Sequence, residues 1–174
     1  MLMLNNDILI RLRYALDIKD KEMVKVFELG GLEVTKDEVQ KMLTKPTDVS
    51  DYEADKDFNP ADSEEIIHVN NRQLELFLNG LIILKRGKQE PKPGQPERPP
   101  LSDEPVNNIL IKKLKIALKL TSEDIVAILE EVGVAITKSE LSALLRKKDH
   151  KNFKECGDKY ARNFLKGLAV RYRG

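Results

Sequence analysis

The chain has 174 residues, of which 41% are apolar and 34% are charged, so it can form one ordinary domain or two small ones with a buried core. Its one cysteine, Cys156, excludes an intramolecular disulfide and cysteine-based zinc sites, and it fits a reducing compartment. The apolar runs are far shorter than the roughly 20 residues of a membrane-spanning helix, and the first residues lack the pattern of a secretory signal. We therefore expect a cytoplasmic protein that does not cross a membrane.

The formal net charge of +1 hides two halves of opposite sign. Residues 107–174 hold 15 Lys+Arg and 8 Asp+Glu, a net charge of +7, whereas residues 1–106 hold 15 and 21, a net charge of −6. The segment 47–70 alone contributes −7, from one lysine and eight acids. This polarity favours an electrostatic partner, unless the acidic segment folds onto the basic half and neutralises it.

The chain is an internal duplication, which a comparison of the sequence with itself reveals. Residues 5–16 match residues 107–118 at an offset of 102, and residues 77–87 match residues 164–174 at an offset of 87. The change in offset means that the first copy carries about fifteen extra residues, which lie within 47–70. We expect a first helical repeat at 1–87 with an acidic insertion at 47–70, and a second helical repeat at 107–174.

The segment 88–106 between the repeats contains six of the eight prolines. Proline lacks a backbone donor and fixes φ, so this density favours an extended linker. Such a linker leaves open whether the repeats pack within one chain or exchange between two chains, and it leaves the oligomeric state open.

In chain order, the first two helices of each repeat follow apolar residues at helical spacing. Asn6 or Asn108 is expected to cap the first helix, with the neighbouring Asn bonded to a facing loop, and Asp20 or Ser122 is expected to cap the second. Glycines at 31 and 133 then break the chain.

The third helix of each repeat has the signature of a capping box, with Thr35 and Glu38 in the first copy and Thr137 and Glu140 in the second. The fourth helix carries a glycine in its middle, Gly80 or Gly167, and ends near Gly87 or Gly174. A mid-helix glycine costs stability, so its presence in both copies predicts that another backbone approaches closely there. The patterns together predict an all-α fold: an internal duplication of a roughly four-helix module, with the two copies packed with pseudo-twofold symmetry.

The acidic insertion at 47–70 alternates acids in a way that superficially suits calcium. It has no glycine at the turn and no distal bidentate glutamate in register, so a solvated acidic loop is the preferred interpretation. We predict no metal site and no cofactor for the chain.

The helices on either side of Gly133 are also similar to a helix-turn-helix, whose second helix would cover Lys138 to Arg146. That helix offers few side chains able to read bases, and the break from Val132 to Thr137 is longer than the usual turn. An ordinary helical hairpin is therefore preferred to a major-groove reading element.

A basic run before the last helix holds the candidate binding residues. It gathers cations with the rarer reactive side chains His150 and Cys156, so it favours contact with phosphate or an acidic partner, and an ordinary polar connection between helices remains open. A nucleophile and base can also be imagined there, with Cys156 and His150 beside an acid. A separation of six residues in the sequence, however, guarantees no hydrogen bond between them. The candidate binding residues are Arg146, Lys147, Lys148, Asp149, His150, Lys151, Asn152, Lys154, Asp158 and Lys159.

The paired N-N openings, the run Asp149 to Asp158 and the paired F-L-x-G-L helices resemble the YehS-like family of bacterial proteins, which are built from two copies of a domain of unknown function. The resemblance covers both copies and implies a small cytoplasmic protein. It implies no established activity or cofactor, so it assigns no catalytic residue. The first copy departs from the family pattern, because the acidic insertion replaces a short loop.

We interpret the chain as a non-catalytic binding or adaptor module whose basic second repeat contacts an acidic partner, either nucleic acid or protein. The alternative is a small hydrolase or transferase using His150 with Asp149 or Cys156. Whether the protein is an enzyme stays undecided, and the residue pattern favours the answer no.

Overall fold

A computed structural model describes residues 5–43, 67–87 and 104–173. The described part of the chain forms helices and connecting loops, as expected for an all-α protein. Residues 47–66 of the acidic insertion lie outside the described residues, as do linker residues 88–103 and Gly174. The helices are α1 Asn5–Leu16, α2 Asp20–Gly30, α3 Lys36–Met42, α4 Asn71–Arg86, α5 Val106–Ala117, α6 Ser122–Glu131, α7 Lys138–Leu145 and α8 Asp158–Arg173.

The helix starts follow the predicted chemistry with shifts of one residue. Thr35 forms the expected reciprocal capping box with Glu38. Thr137 accepts from the backbone N–H of Glu140 at 3.0 Å, but the Glu140 carboxylate bonds the Thr137 hydroxyl instead of its backbone N–H, so the box expected there is only half formed. The expected caps at Asp20 and Ser122 are wrong, because Lys19 and Thr121 stand at the cap positions. Thr121 forms a box with Asp124 that the sequence analysis missed. The β-region backbone of the residue before each helix therefore places the cap one position earlier than proposed.

The expected caps of the first helices are also wrong. Pro105 occupies the cap position of α5 without a side-chain bond, and Asn108 lies inside the helix. Asn6 and Asn108 are buried, with 2% and 0% of their surface exposed. Their amide groups turn away from the helix ends and toward the loop before the last helix of the same repeat.

The mid-helix glycines do permit close backbone approach, as predicted. A Cβ built on Gly80 would lie 1.8 Å from the carbonyl oxygen of Val26, and one built on Gly30 would lie 1.9 Å from that of Leu76. Helices α2 and α4 therefore cross with their backbones nearly in contact. In the second repeat a Cβ on Gly167 would meet the Ile128 side chain at 2.5 Å and its carbonyl oxygen at 2.6 Å.

The repeats pack by exchanging helix partners. Helix α1 packs mainly against α8, and α4 packs extensively against α5. The first helix of each repeat thus lies on the last helix of the other repeat, which is the reciprocal arrangement expected for pseudo-twofold symmetry. Buried apolar residues of both repeats form one continuous core. Phe27 and Phe77 lie within it with ring centroids 4.9 Å apart.

Candidate functional site

The candidate site is the basic loop, defined here as residues 146–157, which joins α7 to α8. Asn108 anchors this loop from below. Its amide donates to the carbonyl oxygens of Leu144 and Lys154, both at 2.9 Å, and its side-chain oxygen accepts from the Cys156 N–H at 2.8 Å. The backbone N–H of Lys154 also donates to Ala143 at 3.0 Å. These bonds fix the path of an exposed loop that carries no regular secondary structure.

The neighbouring asparagine provides a second anchor at the start of α8. The Asn107 amide donates to Asp158 at 2.7 Å and to the Cys156 carbonyl at 3.2 Å. This confirms the prediction that the asparagine next to Asn108 bonds a facing loop. It also gives the candidate binding residue Asp158 a structural role.

The tip of the loop is a pair of turns built around His150. Its backbone N–H donates to Lys147 at 2.9 Å, and its carbonyl accepts from Phe153 at 3.0 Å. The exposed ring lies 2.9 Å from the Arg146 guanidinium and accepts from the Asn152 N–H at 3.0 Å through Nδ1. His150 and Arg146 are therefore partners within the loop.

Glu104 braces the loop from the side. It accepts from the backbone N–H of Lys148 at 3.2 Å and forms a 2.6 Å ion pair with Lys112. The Lys112 ammonium also lies 6.0 Å from the centroid of the Phe153 ring. Because both side chains of the ion pair are largely buried, this contact is screened less by salt than a surface pair.

Four lysines of the candidate set project from this anchored frame. Lys147, Lys151, Lys154 and Lys159 are exposed, and their ammonium groups have no ion-pair partner among the residues that the structure describes. Asp149 and Glu155 are the exposed acids of the basic loop. The surface therefore presents an excess of unpaired positive charge on a backbone that is already fixed.

The sequence analysis included Lys159 but missed Arg162 and Lys166, which extend this positive charge along α8. Lys159, Arg162 and Lys166 are exposed on one face of the helix, and we call them the basic stripe. Their spacing of three and four residues places them on successive turns. The signal was present in the sequence, because positions 159–174 contain no acid.

The residues of the alternative catalytic interpretation are not assembled in the described structure. Cys156 is buried, and its thiol lies 3.5 Å from the Gly157 carbonyl. Burial raises the pKa of this thiol to about 12, with a further contribution from the charge of Asp158. The His150 ring hydrogen-bonds neither Asp149 nor Cys156 within the part of the chain described here.

The two cations that a helix-turn-helix would present to DNA are engaged by other side chains. Lys138 pairs with Glu123 at 2.8 Å, and Arg146 contacts His150. Helix α7 therefore offers little positive charge for a major groove.

An open cleft of about 370 Å³ lies where the two repeats meet. It brings together equivalent polar side chains, Asn5 and Asn71 from the first repeat and Asn107 and Asp158 from the second. His150 does not line it. Residues 5–43, 67–87 and 104–173 contain no cluster of three metal-ligating side chains.

These features define a helical tandem-repeat protein whose second repeat carries an anchored basic surface. The chain matches, over residues 5–87 and 107–174, the family described as protein of unknown function DUF1456, and it belongs to that family. It is 40% identical over 170 residues to the uncharacterized protein YehS of Escherichia coli (strain K12), covering 97% of this chain and 96% of that protein. No solved structure matches it.

No helix in the described ranges is long and apolar enough to span a membrane.

Proposed function

We propose that the protein is a non-catalytic binding module that contacts an acidic partner, nucleic acid or protein, through the basic loop of the second repeat. The observation that carries the proposal is the set of exposed lysines without an ion-pair partner among the described residues, Lys147, Lys151, Lys154 and Lys159. Unpaired cations on a fixed backbone attract an anionic surface at little cost in conformational freedom.

The anchoring of the loop supports this proposal. Asn108 holds the backbone of Lys154 and Cys156, and Glu104 holds that of Lys148. The stretch of the basic loop between these points is mostly exposed and polar. Asn6 holds the equivalent connection of the first repeat in the same way, so the clamp belongs to both repeats, and the second repeat differs in the lysines that its clamped loop displays. The frame fixes the backbone from which the exposed side chains of Lys147, Lys151 and Lys154 project.

The structure also refines which residues to test. Arg146 and Asp158 contact other residues of the loop and its anchor, so changing them would disturb the loop itself. Lys147, Lys151 and Lys154 are better targets, because their side chains have no hydrogen bond to any described residue.

Retention on immobilised heparin, a polyanion, provides the first test. Changing Lys147, Lys151 and Lys154 to Glu should lower the salt concentration needed for elution, because surface charge pairs are screened by salt. The matched control changes Lys21, Lys25 and Lys36 to Glu, three exposed cations of the first repeat with the same change in charge. Equal retention of the loop variant and the unchanged protein, or equal losses in both variants, would reject the basic loop as the binding surface.

We further propose the cytoplasm as the location, with domain limits at 1–87 and 107–174 and a linker at 88–106. The location is supported by the single, buried thiol. The domain limits are supported by the two segments of the family match.

A further inference from the structure

We infer that the acidic partner is a DNA duplex, which the basic stripe and the basic loop together contact along its phosphate backbone without reading its sequence. This inference rests on the proposed function and adds Arg162 and Lys166 to the surface. Both side chains are exposed and form no ion pair with any residue in the described ranges.

The spacing of the cations on α8 suits contacts to the phosphate backbone of a duplex. Lys159 and Lys166 are seven residues apart, so they are separated by about 10 Å along the helix axis. The major groove of B-form DNA is about 12 Å wide. Two long lysine side chains at this separation can reach phosphates on both sides of a groove, and Arg162 between them adds a third cation on the same face.

The chemistry of the surface argues against base reading. Base edges are recognised chiefly by bidentate amide or guanidinium groups. Asn163, the amide beside the stripe, donates to the Lys159 carbonyl at 2.8 Å, so one of its donors is engaged within the helix. The stripe then offers one guanidinium, at Arg162, beside two lysines and no free amide pair, so contacts to phosphates, which carry no sequence information, outnumber possible base contacts.

A single strand and an acidic protein fit less well. Single strands bind by stacking bases on exposed aromatic rings, but near the stripe and the basic loop Tyr160 packs against the core and Phe153 is half-buried. The exposed ring on α8, Tyr172, lies six residues beyond Lys166. Protein interfaces depend on buried aromatic or apolar anchors. The stripe itself contains no apolar side chain, and the exposed Val170 lies one turn beyond its end at Lys166.

The first repeat lacks most of this basic surface, so the proposed duplex contact belongs to the second repeat. The positions equivalent to Arg162 and Lys166 are Glu75 and Asn79, and these are only 3% and 1% exposed. The position equivalent to Lys159 is the exposed Arg72, so the first repeat keeps one cation of the stripe and lacks the other two. Lysines of the first repeat can therefore be changed as a control that removes the same number of charges.

Fluorescence anisotropy of a short labelled DNA duplex, measured with the full chain over a series of salt concentrations, tests the inference. Changing Lys159, Arg162 and Lys166 to Gln should weaken binding at least about tenfold and reduce the slope of log K against log salt by about 2.7, since each phosphate contact contributes about 0.9. The control with Lys21, Lys25 and Lys36 changed to Gln should keep both the affinity and the slope. Glutamine is a good helix former, and circular dichroism will verify that α8 is retained.

The outcomes separate the inference from the proposed function. If the stripe variant binds the duplex normally while a variant with Lys147, Lys151 and Lys154 changed to Gln does not, the stripe is rejected and the basic loop stands. If polyglutamate displaces the duplex at equal charge concentration, the partner is an acidic protein and the duplex is rejected. If the unchanged protein binds neither duplex nor polyglutamate nor heparin, the proposed function itself fails.

Discussion

Asn6 and Asn108 occupy equivalent positions in the two repeats and form the same three hydrogen bonds. Asn6 donates to the carbonyls of Met42 and Ile67 and accepts from the Val69 N–H. Asn108 bonds the residues that the duplication places at the same positions, Leu144, Lys154 and Cys156. The clamp is thus retained even though the loop sequences that it holds differ between the copies.

Changing Asn108 to Ala should destabilise the protein by about 3 kcal/mol, because it leaves two carbonyls and one N–H in a buried setting without their partner. Urea unfolding followed by circular dichroism measures the loss. The control is Asn163→Ala, which removes a single exposed bond within α8 and should change the stability by less than about 0.5 kcal/mol. Near-equal stability of the two variants would show that the clamp contributes nothing.

Changing Gly80 to Ala should destabilise the protein by more than about 3 kcal/mol, despite the gain of about 1 kcal/mol in helix propensity. The added Cβ would collide with the Val26 carbonyl, so α2 and α4 must separate. Gly167→Ala should cost less, since the Ile128 side chain can yield part of the space. Gly157→Ala is the control, because a Cβ there meets nothing within 4 Å. A neutral Gly80→Ala in thermal unfolding would contradict the close crossing.

Cys156 should resist thiol reagents until the chain unfolds. Its thiol is buried, and its pKa of about 12 leaves almost no thiolate at pH 8. Reaction with Ellman's reagent should therefore be slow in the native protein and rapid in urea. A fast native reaction would show that the thiol is accessible and would reopen the catalytic interpretation.

The same thiol makes the free energy of unfolding depend on pH in the alkaline range. The pKa of Cys156 is higher in the folded protein, at about 12, than in the unfolded chain, at about 8.5. The folded state therefore retains the proton longer, and the stabilisation present below pH 8.5 is lost as the pH rises toward 12. The free energy of unfolding of Cys156→Ala should fall less steeply between pH 9 and 11 than that of the unchanged protein. Parallel pH profiles would contradict this.

Glu75 and Lys113 should be energetically coupled across the α4–α5 contact. Burial lowers the pKa of the Lys113 ammonium, and the charge of the buried Glu75 opposes this shift. Lys113→Met should therefore be more harmful when Glu75 is present than in a Glu75→Gln background. Because Lys113 is only half-buried, we expect a coupling of about 1 kcal/mol in a double-mutant cycle. Additive effects in urea unfolding would show that the two charges act independently.

Particular residues show how far the sequence predicts this fold. The repeat, the helices and the close approach at Gly80 and Gly167 follow from periodicity and from glycines that the duplication preserves. The role of Asn108 did not follow, since an asparagine near a helix start has the same local chemistry whether it caps the helix or clamps a distant loop. Only the tertiary path of residues 144–156 decides between the two.

The candidate site was predictable to a similar extent. The position of the basic loop and the presence of its lysines follow from composition. The engagement of Arg146 by His150 and of Asp158 by Asn107 depends on the turn geometry, which residue type does not determine. The exchange of helix partners was hidden for a different reason: the two repeats have the same apolar faces, so the pattern identifies which face is buried but not which copy covers it.

The exchanged packing of α1 on α8 and of α4 on α5 bears on how such a protein could arise. An ancestor with a single repeat could bury its first and last helices in this way only against a second molecule, so its folding would have depended on concentration. Joining two copies in one gene makes that encounter unimolecular and removes the need for the halves to remain identical. One half is then free to acquire cations and the other acids, while the shared interior keeps them together.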